Sequence, residues 1–371
     1  MIPLTMLPSK KSKLSIRQRL ELSLFSLYRA HEITHHKLTY LFWEATLRCN
    51  LSCLHCGSDC LKNSSTADMP SGDFLKVLDE IALVYNPADI FICITGGEPL
   101  LRYDLEDTGS EITKKGFPWG IVTNGTLLDE QRLSNLLKAG MKSVSISIDG
   151  LEADHNWLRQ DDSAFTKSMH AVSLCSQVYA QNRGFFGFDV ISCINKRNLK
   201  TLPFIRQMLE EQNVPAWRLF SIFPSGRAQT NTKLSLNGAE RESLMDFISE
   251  TRKTSAIQTS YSCEGFLGRY EKKVRDYYFF CRSGISTASI MCDGSITGCL
   301  SVRNPDFIQG SIHTDNFIDV WENRFSIMRD RSWTKKGKCA LCREWKHCRG
   351  GSLHLYNDTS KESIKCCRGT W

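Results

Sequence analysis

With 371 residues, 41 % of them hydrophobic, the chain is long enough for one large α/β barrel plus a smaller appendage, and its core needs no disulfides. A formal charge of +7, carried on no long run of like charges, is modest for this length and gives no reason to expect nucleic-acid binding. The 16 cysteines fall at ligand-like spacings, which argues against a secreted disulfide scaffold and for reduced thiols in a cytoplasmic, low-oxygen setting.

The first residues carry Lys10, Lys11 and Lys13, but Arg17, Arg19 and Glu21 interrupt any apolar run of signal-peptide length. No segment has transmembrane length. Over Leu14–Ala30, Leu20, Leu24, Leu27 and Tyr28 recur at helical spacing among charged residues. An amphipathic helix is expected, packed on the body of the protein, with docking of a peptide or a membrane surface as the alternative. Residues 1–38 are read as an N-terminal arm.

Six β-type runs follow, at Thr39–Thr46, Ile90–Thr95, Trp119–Thr123, Ser143–Ile148, Phe186–Cys193 and Trp217–Ile222. Helical patterns follow each of them, near Gly72–Val84, Leu105–Lys115, Asp129–Ala139, Ala164–Ala180, Leu199–Gln212 and Ala239–Thr251. This alternation indicates βα units around a parallel sheet. Six units fall short of the eight that close a barrel, so residues 39–257 are expected to form an open, partial (βα)6 TIM-like barrel. Beyond residue 258 the texture turns to Gly, Cys and aromatic residues with short apolar runs, which suggests a loop-rich C-terminal domain, 258–371, organised by metal.

The first strand runs into Cys49-Asn-Leu-Ser-Cys53-Leu-His-Cys56. A loop at the C-terminal end of a parallel strand lies on the active-site rim. Three thiolates suit a four-iron cluster with one iron left open to a small molecule. Zinc is the alternative, completed by Cys60 or His55, but this spacing is unusual for it. The second strand ends in Thr95-Gly96-Gly97-Glu98-Pro99, where paired glycines permit close backbone approach and Glu98 supplies a carboxylate for an ammonium group. Asn124-Gly125 and Ser147-Ile148-Asp149-Gly150 add polar groups after the third and fourth strands, as do Ser192 and Asn195 after the fifth, and each also reads as a turn.

The Cys loop after strand one, with the Gly-Gly-Glu-Pro run one unit later, resembles the radical S-adenosylmethionine superfamily. His55 stands where that family often has an aromatic residue. The resemblance implies a catalytic [4Fe-4S] cluster on Cys49, Cys53 and Cys56. It also implies S-adenosylmethionine as cosubstrate, held by Gly96, Gly97, Glu98, Ser147, Asn124 and Asp149. Reductive cleavage to a 5′-deoxyadenosyl radical, which removes hydrogen from a substrate, is the implied reaction, and an electron donor such as flavodoxin or ferredoxin is the implied partner. No hydrolase arrangement competes.

Toward the C-terminus, Cys281, Gly294 and Cys299, then Cys339-x2-Cys342-x5-Cys348 and Cys366-Cys367, resemble the auxiliary-cluster domain called SPASM. Its pattern implies one cluster on Cys339, Cys342, Cys348 and Cys366 or Cys367. A second would use Cys281 and Cys299, but Ser352 takes the place of an expected cysteine, so Cys292 or Cys263 would have to assist. A zinc ribbon on the same residues is the alternative. SPASM likeness implies a maturase acting on a ribosomally made peptide or protein, and Trp43-Glu44 with Cys56-Gly-Ser-Asp-Cys60 resembles a branch associated with small lipoproteins. The competing functions are a radical enzyme acting on a small molecule in cofactor or sugar biosynthesis, and a non-catalytic iron–sulfur binding or electron-transfer protein.

Overall fold

The computed structural model describes residues 14–222, 225–262, 265–357 and 362–363. A helix α1 (Ile16–His35) begins at a capping box in which Ser15 and Gln18 satisfy each other's backbone N–H groups. Then strand and helix alternate: β1 (Tyr40–Thr46), α2 (Ser71–Ala82), β2 (Phe91–Gly96), α3 (Leu105–Lys114), β3 (Trp119–Thr123) and α4 (Glu130–Lys138). β4 (Ser143–Ser147) is followed by two helices, α5 (Glu152–Arg159) and α6 (Ala164–Gln181). β5 (Gly187–Ile194), α7 (Leu202–Glu211), β6 (Ala216–Ser221), α8 (Gly238–Thr254) and β7 (Gln258–Tyr261) continue the series. The remainder holds β8 (Thr287–Ile290), β9 (Ser295–Thr297), β10 (Ile308–Ser311) and the short helices α9 (Phe317–Asn323), α10 (Ser326–Arg329) and α11 (Trp345–Cys348).

All the expected strands form, and β1 to β7 are parallel neighbours in chain order. The sheet extends further than the sequence indicated. β7 adds a seventh parallel strand, β8 pairs parallel with β1, and β9 and β10 extend that edge antiparallel. The sheet therefore has two free ends, β10 and β7, and is open. No interruption in it coincides with residue 257.

Alternation along each strand sends one set of side chains to the helices. Trp43 stacks on Phe74 of α2 at 4.3 Å, Trp119 lies against Gly109 of α3, and Trp217 meets Phe247 of α8 edge-on. These helix-facing residues are fully buried and form the main core. Residues of the other parity, among them Phe42, Val122, Ser147, Ile191 and Phe220, line the concave inner wall and stay only half-buried.

The helix expected over Leu14–Ala30 is present, but its orientation is reversed. Leu22 and Arg29 are the buried residues of α1, with Phe25 packed against Tyr278 and Phe280, whereas Leu20, Leu24 and Leu27 face outward. Helical spacing identifies two apolar faces here and cannot say which one meets the protein.

Candidate metal centre

β1 delivers the chain into the cysteine loop through a tightly tied entrance. Thr46 Oγ1 donates to Asp68 at 2.5 Å, Arg48 pairs with the same carboxylate, and Cys49 N–H donates to the Leu61 carbonyl at 2.8 Å. A Cβ on Gly96 would fall 2.2 Å from the Thr46 carbonyl oxygen, and one on Gly97 would fall 2.1 Å from that of Arg48. The paired glycines therefore admit the chain's own loop entrance to close backbone contact.

Each of the three thiols receives an N–H group. Asn124 Nδ2 lies 3.9 Å from Cys49 Sγ, Arg159 Nη1 lies 3.7 Å from Cys53 Sγ, and Cys60 N lies 3.3 Å from Cys56 Sγ. Donors aimed at sulfur favour thiolate over thiol, the form that binds metal. Without metal, burial pushes the Cys49 thiol up to about 11 and raises that of Cys53 as well. The hydrogen bond from Cys60 draws the Cys56 thiol down to about 6.

One zinc ion would hold its sulfurs about 3.8 Å apart at tetrahedral Zn–S bonds. Among the described residues, only His55, Asp149 and Cys193 bring three ligand atoms within 4.8 Å of one another. Cys49, Cys53 and Cys56 do not form such a compact group. The His55, Asp149 and Cys193 group is itself unsuited to a cation, because Arg159 already occupies the Asp149 carboxylate at 2.6 and 2.7 Å.

The loop is clamped from two further elements. Leu54 N–H donates to the Leu158 carbonyl at 2.9 Å, so the end of α5 carries both that contact and Arg159. After β6, Arg227 donates through Nε to the Cys53 carbonyl at 2.8 Å and through Nη1 to the Cys60 carbonyl at 2.9 Å, while its own N–H donates to the Cys56 carbonyl at 3.0 Å. Neither arginine was singled out from sequence, since α5 falls between expected elements and residue 227 in a connecting loop.

Glu98 follows the end of β2. Its carboxylate is fully buried and accepts hydrogen bonds from Thr123 Oγ1 at 2.7 Å, Asn124 N at 2.8 Å and Leu100 N at 3.1 Å. Burial raises its pKa above the usual carboxylate range. The carboxylate thus braces the rim at the ends of β2 and β3. Asn124 is drawn into the same brace and also bonds Asn50 at 2.9 Å.

Asp149 is likewise fully buried. Burial opposes its ionisation, but the Arg159 charge outweighs that and holds its carboxyl below the usual range, with Cys193 N–H donating at 2.8 Å. It positions Arg159 and has no exposed face for a ribose. Ser147 stands half-buried on the inner wall, where a cosubstrate could reach it. Ser192 faces the helix layer and accepts Trp217 Nε1 at 2.8 Å, and the Asn195 side chain caps its own turn.

In the C-terminal region Cys281 and Cys348, which the sequence assigned to two different clusters, line one cavity of about 550 Å³ together with Arg29, Arg331 and Arg349. Cys299 is electrostatically coupled to Cys281. Cys292 is elsewhere, with Sγ donating to the Ala67 carbonyl at 3.5 Å beside the entrance of the first loop. Ser352 is buried and its Oγ accepts Gly265 N–H at 2.9 Å. Cys339 and Cys342 lie on one short turn, while Cys263, Cys366 and Cys367 lie outside the described residues.

Residues 43–203 match the model of the Radical SAM superfamily. The chain is 27 % identical over 340 residues to an AdoMet-dependent heme synthase from Methanosarcina barkeri, covering 85 % of this chain and 92 % of that one. It is 24 % identical to a mycofactocin maturase from Mycolicibacterium smegmatis, covering 84 % of this chain and 77 % of that one. Among solved structures, Streptococcus suis SuiB bound to S-adenosylmethionine superposes with a TM-score of 0.69 at 16 % identity, over 96 % of this chain and 84 % of that one. Native anSMEcpe with bound AdoMet gives 0.68 at 20 %, over 88 % and 93 %.

Proposed function

This chain belongs to the radical S-adenosylmethionine superfamily, and from that premise we propose that it is a maturase that removes a hydrogen atom from a ribosomally made peptide. A four-iron cluster with S-adenosylmethionine, when bound, supplies a 5′-deoxyadenosyl radical. This chain's part is to hold three thiolates under N–H donors, to brace the rim through Glu98, and to offer Ser147 and the inner wall to cosubstrate and substrate.

The inner wall carries the reading. It lies in a sheet with two free ends and presents half-buried Phe42, Val122, Ile191 and Phe220, while Glu44, Cys93 and Ser145 of the same face are buried. Arg218, the guanidinium on the described parallel strands' inner face, is neutralised by Asp189 at 2.6 Å and donates to Ser145 at 2.8 Å. Such a trough suits an extended chain held by apolar side chains.

A second reading, a tetrapyrrole substrate, is favoured by the similarity to heme synthases. A porphyrin with several carboxylates would call for several unpaired cations on that wall. Auxiliary clusters are proposed on Cys281, Cys299, Cys339, Cys342 and Cys348, of which Cys281 and Cys348 line the arginine-rich cavity, whose positive charge suits an anionic cluster. Reduction would come from a small donor such as flavodoxin or ferredoxin.

The test is an anaerobic assay of 5′-deoxyadenosine release with mass spectrometry of the products, offering in parallel the short peptides encoded beside the gene and iron-coproporphyrin III. A modified peptide is expected. Decarboxylation of the porphyrin with every peptide unchanged would overturn the proposal.

A further inference from the structure

Arg29 and Arg331 are buried with no carboxylate partner among the described residues, at 5 and 7 % exposure. A charge inside a protein is ordinarily paired, as Arg102 is with Asp104 and Arg159 with Asp149, both at 2.6 Å. These two meet backbone carbonyls instead. Arg29 donates to those of His347 at 2.6 Å and Lys346 at 2.8 Å, and Arg331 Nη2 donates to that of Gly351 at 2.8 Å. Arg331 Nε has no hydrogen-bond partner among the described residues.

Both arginines line the cavity of about 550 Å³, Arg29 from α1 and Arg331 from just after α10. The acids on its wall are engaged otherwise: Glu322 pairs with His36 at 2.9 Å, and Asp330 accepts Ser332 Oγ at 2.9 Å. Neutral carbonyls leave the two positive charges in place, so the cavity suits an anionic occupant. The thiols on its wall are Cys281 and Cys348, and Arg331 is electrostatically coupled to both.

We propose that Arg331 is the counter-charge of an auxiliary iron–sulfur cluster at this cavity and raises that cluster's midpoint potential. This rests on the auxiliary clusters proposed for the C-terminal region. A thiolate-ligated cluster becomes more negative on reduction, and a buried cation with no carboxylate of its own stabilises that state. Cys281 and Cys348 come from two sites that the sequence keeps apart, so one guanidinium acts on thiolates of both. The buried face of α1 gains a task as well, since that helix walls the cavity and carries a second cation into it.

The full chain with Cys49→Ala, Cys53→Ala and Cys56→Ala, reconstituted without oxygen, isolates the auxiliary iron. Titration with dithionite, followed by electron paramagnetic resonance, would read its midpoints in this background and with Arg331→Gln or Arg331→Lys added. Arg331→Gln is expected to lower at least one auxiliary midpoint by about 59 mV, a tenfold shift of a one-electron equilibrium. Arg331→Lys, which keeps the charge, should move it by less than half as much. Equal midpoints in the three proteins, at equal iron, would overturn this proposal and leave the auxiliary clusters standing. So would an Arg331→Lys protein as far shifted or as poor in iron as Arg331→Gln, because the residue would then serve the local structure alone. A background protein that holds zinc or no iron would overturn the auxiliary clusters, and this proposal with them.

Discussion

Arg159 joins Cys53 to Asp149: one guanidinium nitrogen lies 3.7 Å from the Cys53 sulfur while the others hold the carboxylate at 2.6 and 2.7 Å. A cation hydrogen-bonded to a cluster thiolate stabilises the reduced, more negative state. Arg159→Gln should therefore lower the midpoint potential of the catalytic cluster, by on the order of 60 mV, equivalent to a tenfold change for one electron. Arg159→Lys, which keeps the charge, should shift it less. Potentiometric titration followed by electron paramagnetic resonance reads the difference, and equal midpoints in all three proteins would remove Arg159 from this role.

Cys53→Ala should abolish S-adenosylmethionine cleavage and leave the C-terminal iron bound, because the two regions use separate thiolates. The wild-type protein should hold at least two clusters, about eight irons. The variant should lose about four of them. Ser352 Oγ accepts Gly265 N–H at 2.9 Å and adds no thiolate, so a count near twelve would require a further ligand outside the described residues. About four irons with bound zinc would overturn the C-terminal reading.

Substituting Gly97 forces a Cβ to within 2.1 Å of a backbone carbonyl, at Arg48, which cannot move without dragging Cys49 along. Gly97→Ala is expected to cost about 1 to 3 kcal/mol of stability and to reduce iron loading. Gly72→Ala is the matched control, since nothing lies within 4 Å of the new Cβ and the residue sits in α2. Thermal melts of the apoproteins with iron analysis after reconstitution separate the two, and normal loading of Gly97→Ala would refute the argument.

For Glu98→Gln the three donors to the carboxylate decide the outcome. An amide can turn only one oxygen to them and sets its own N–H₂ against the rest, at about 1 to 3 kcal/mol. The melting temperature should fall by several degrees, with cosubstrate affinity falling as the rim loosens. An unchanged melt together with weaker S-adenosylmethionine binding by calorimetry would return the carboxylate to the ligand's ammonium group.

Much of the barrel was legible because its helix-facing strand residues, such as Trp43, Ile92, Ile121 and Val190, are apolar at period two and separated by helical spacing. β7 was not, since Gln-Thr-Ser-Tyr is a polar edge strand that carries no such signal. The three loop cysteines stand out in the sequence by their spacing and their place after the first strand. Arg159 and Arg227 escaped because each meets the loop across more than 100 residues of sequence, a relation that no local pattern encodes. Glu98 and Asp149 are read from sequence as cosubstrate-binding carboxylates, and their burial is a tertiary property that no local pattern encodes.

Gly226 and Arg227, seated on the carbonyls of Cys53 and Cys56, also set an order of events during biogenesis. The Arg227 bond to the Cys53 carbonyl spans 174 residues, so its loop-closure cost falls late, after the intervening βα units have docked. A nascent chain that has emerged only as far as β5 has the α5 contacts to the cysteine loop but lacks those of Gly226 and Arg227. Arrested chains ending before residue 222 should leave Cys53 and Cys56 open to rapid alkylation, and chains extended past residue 262 should protect them.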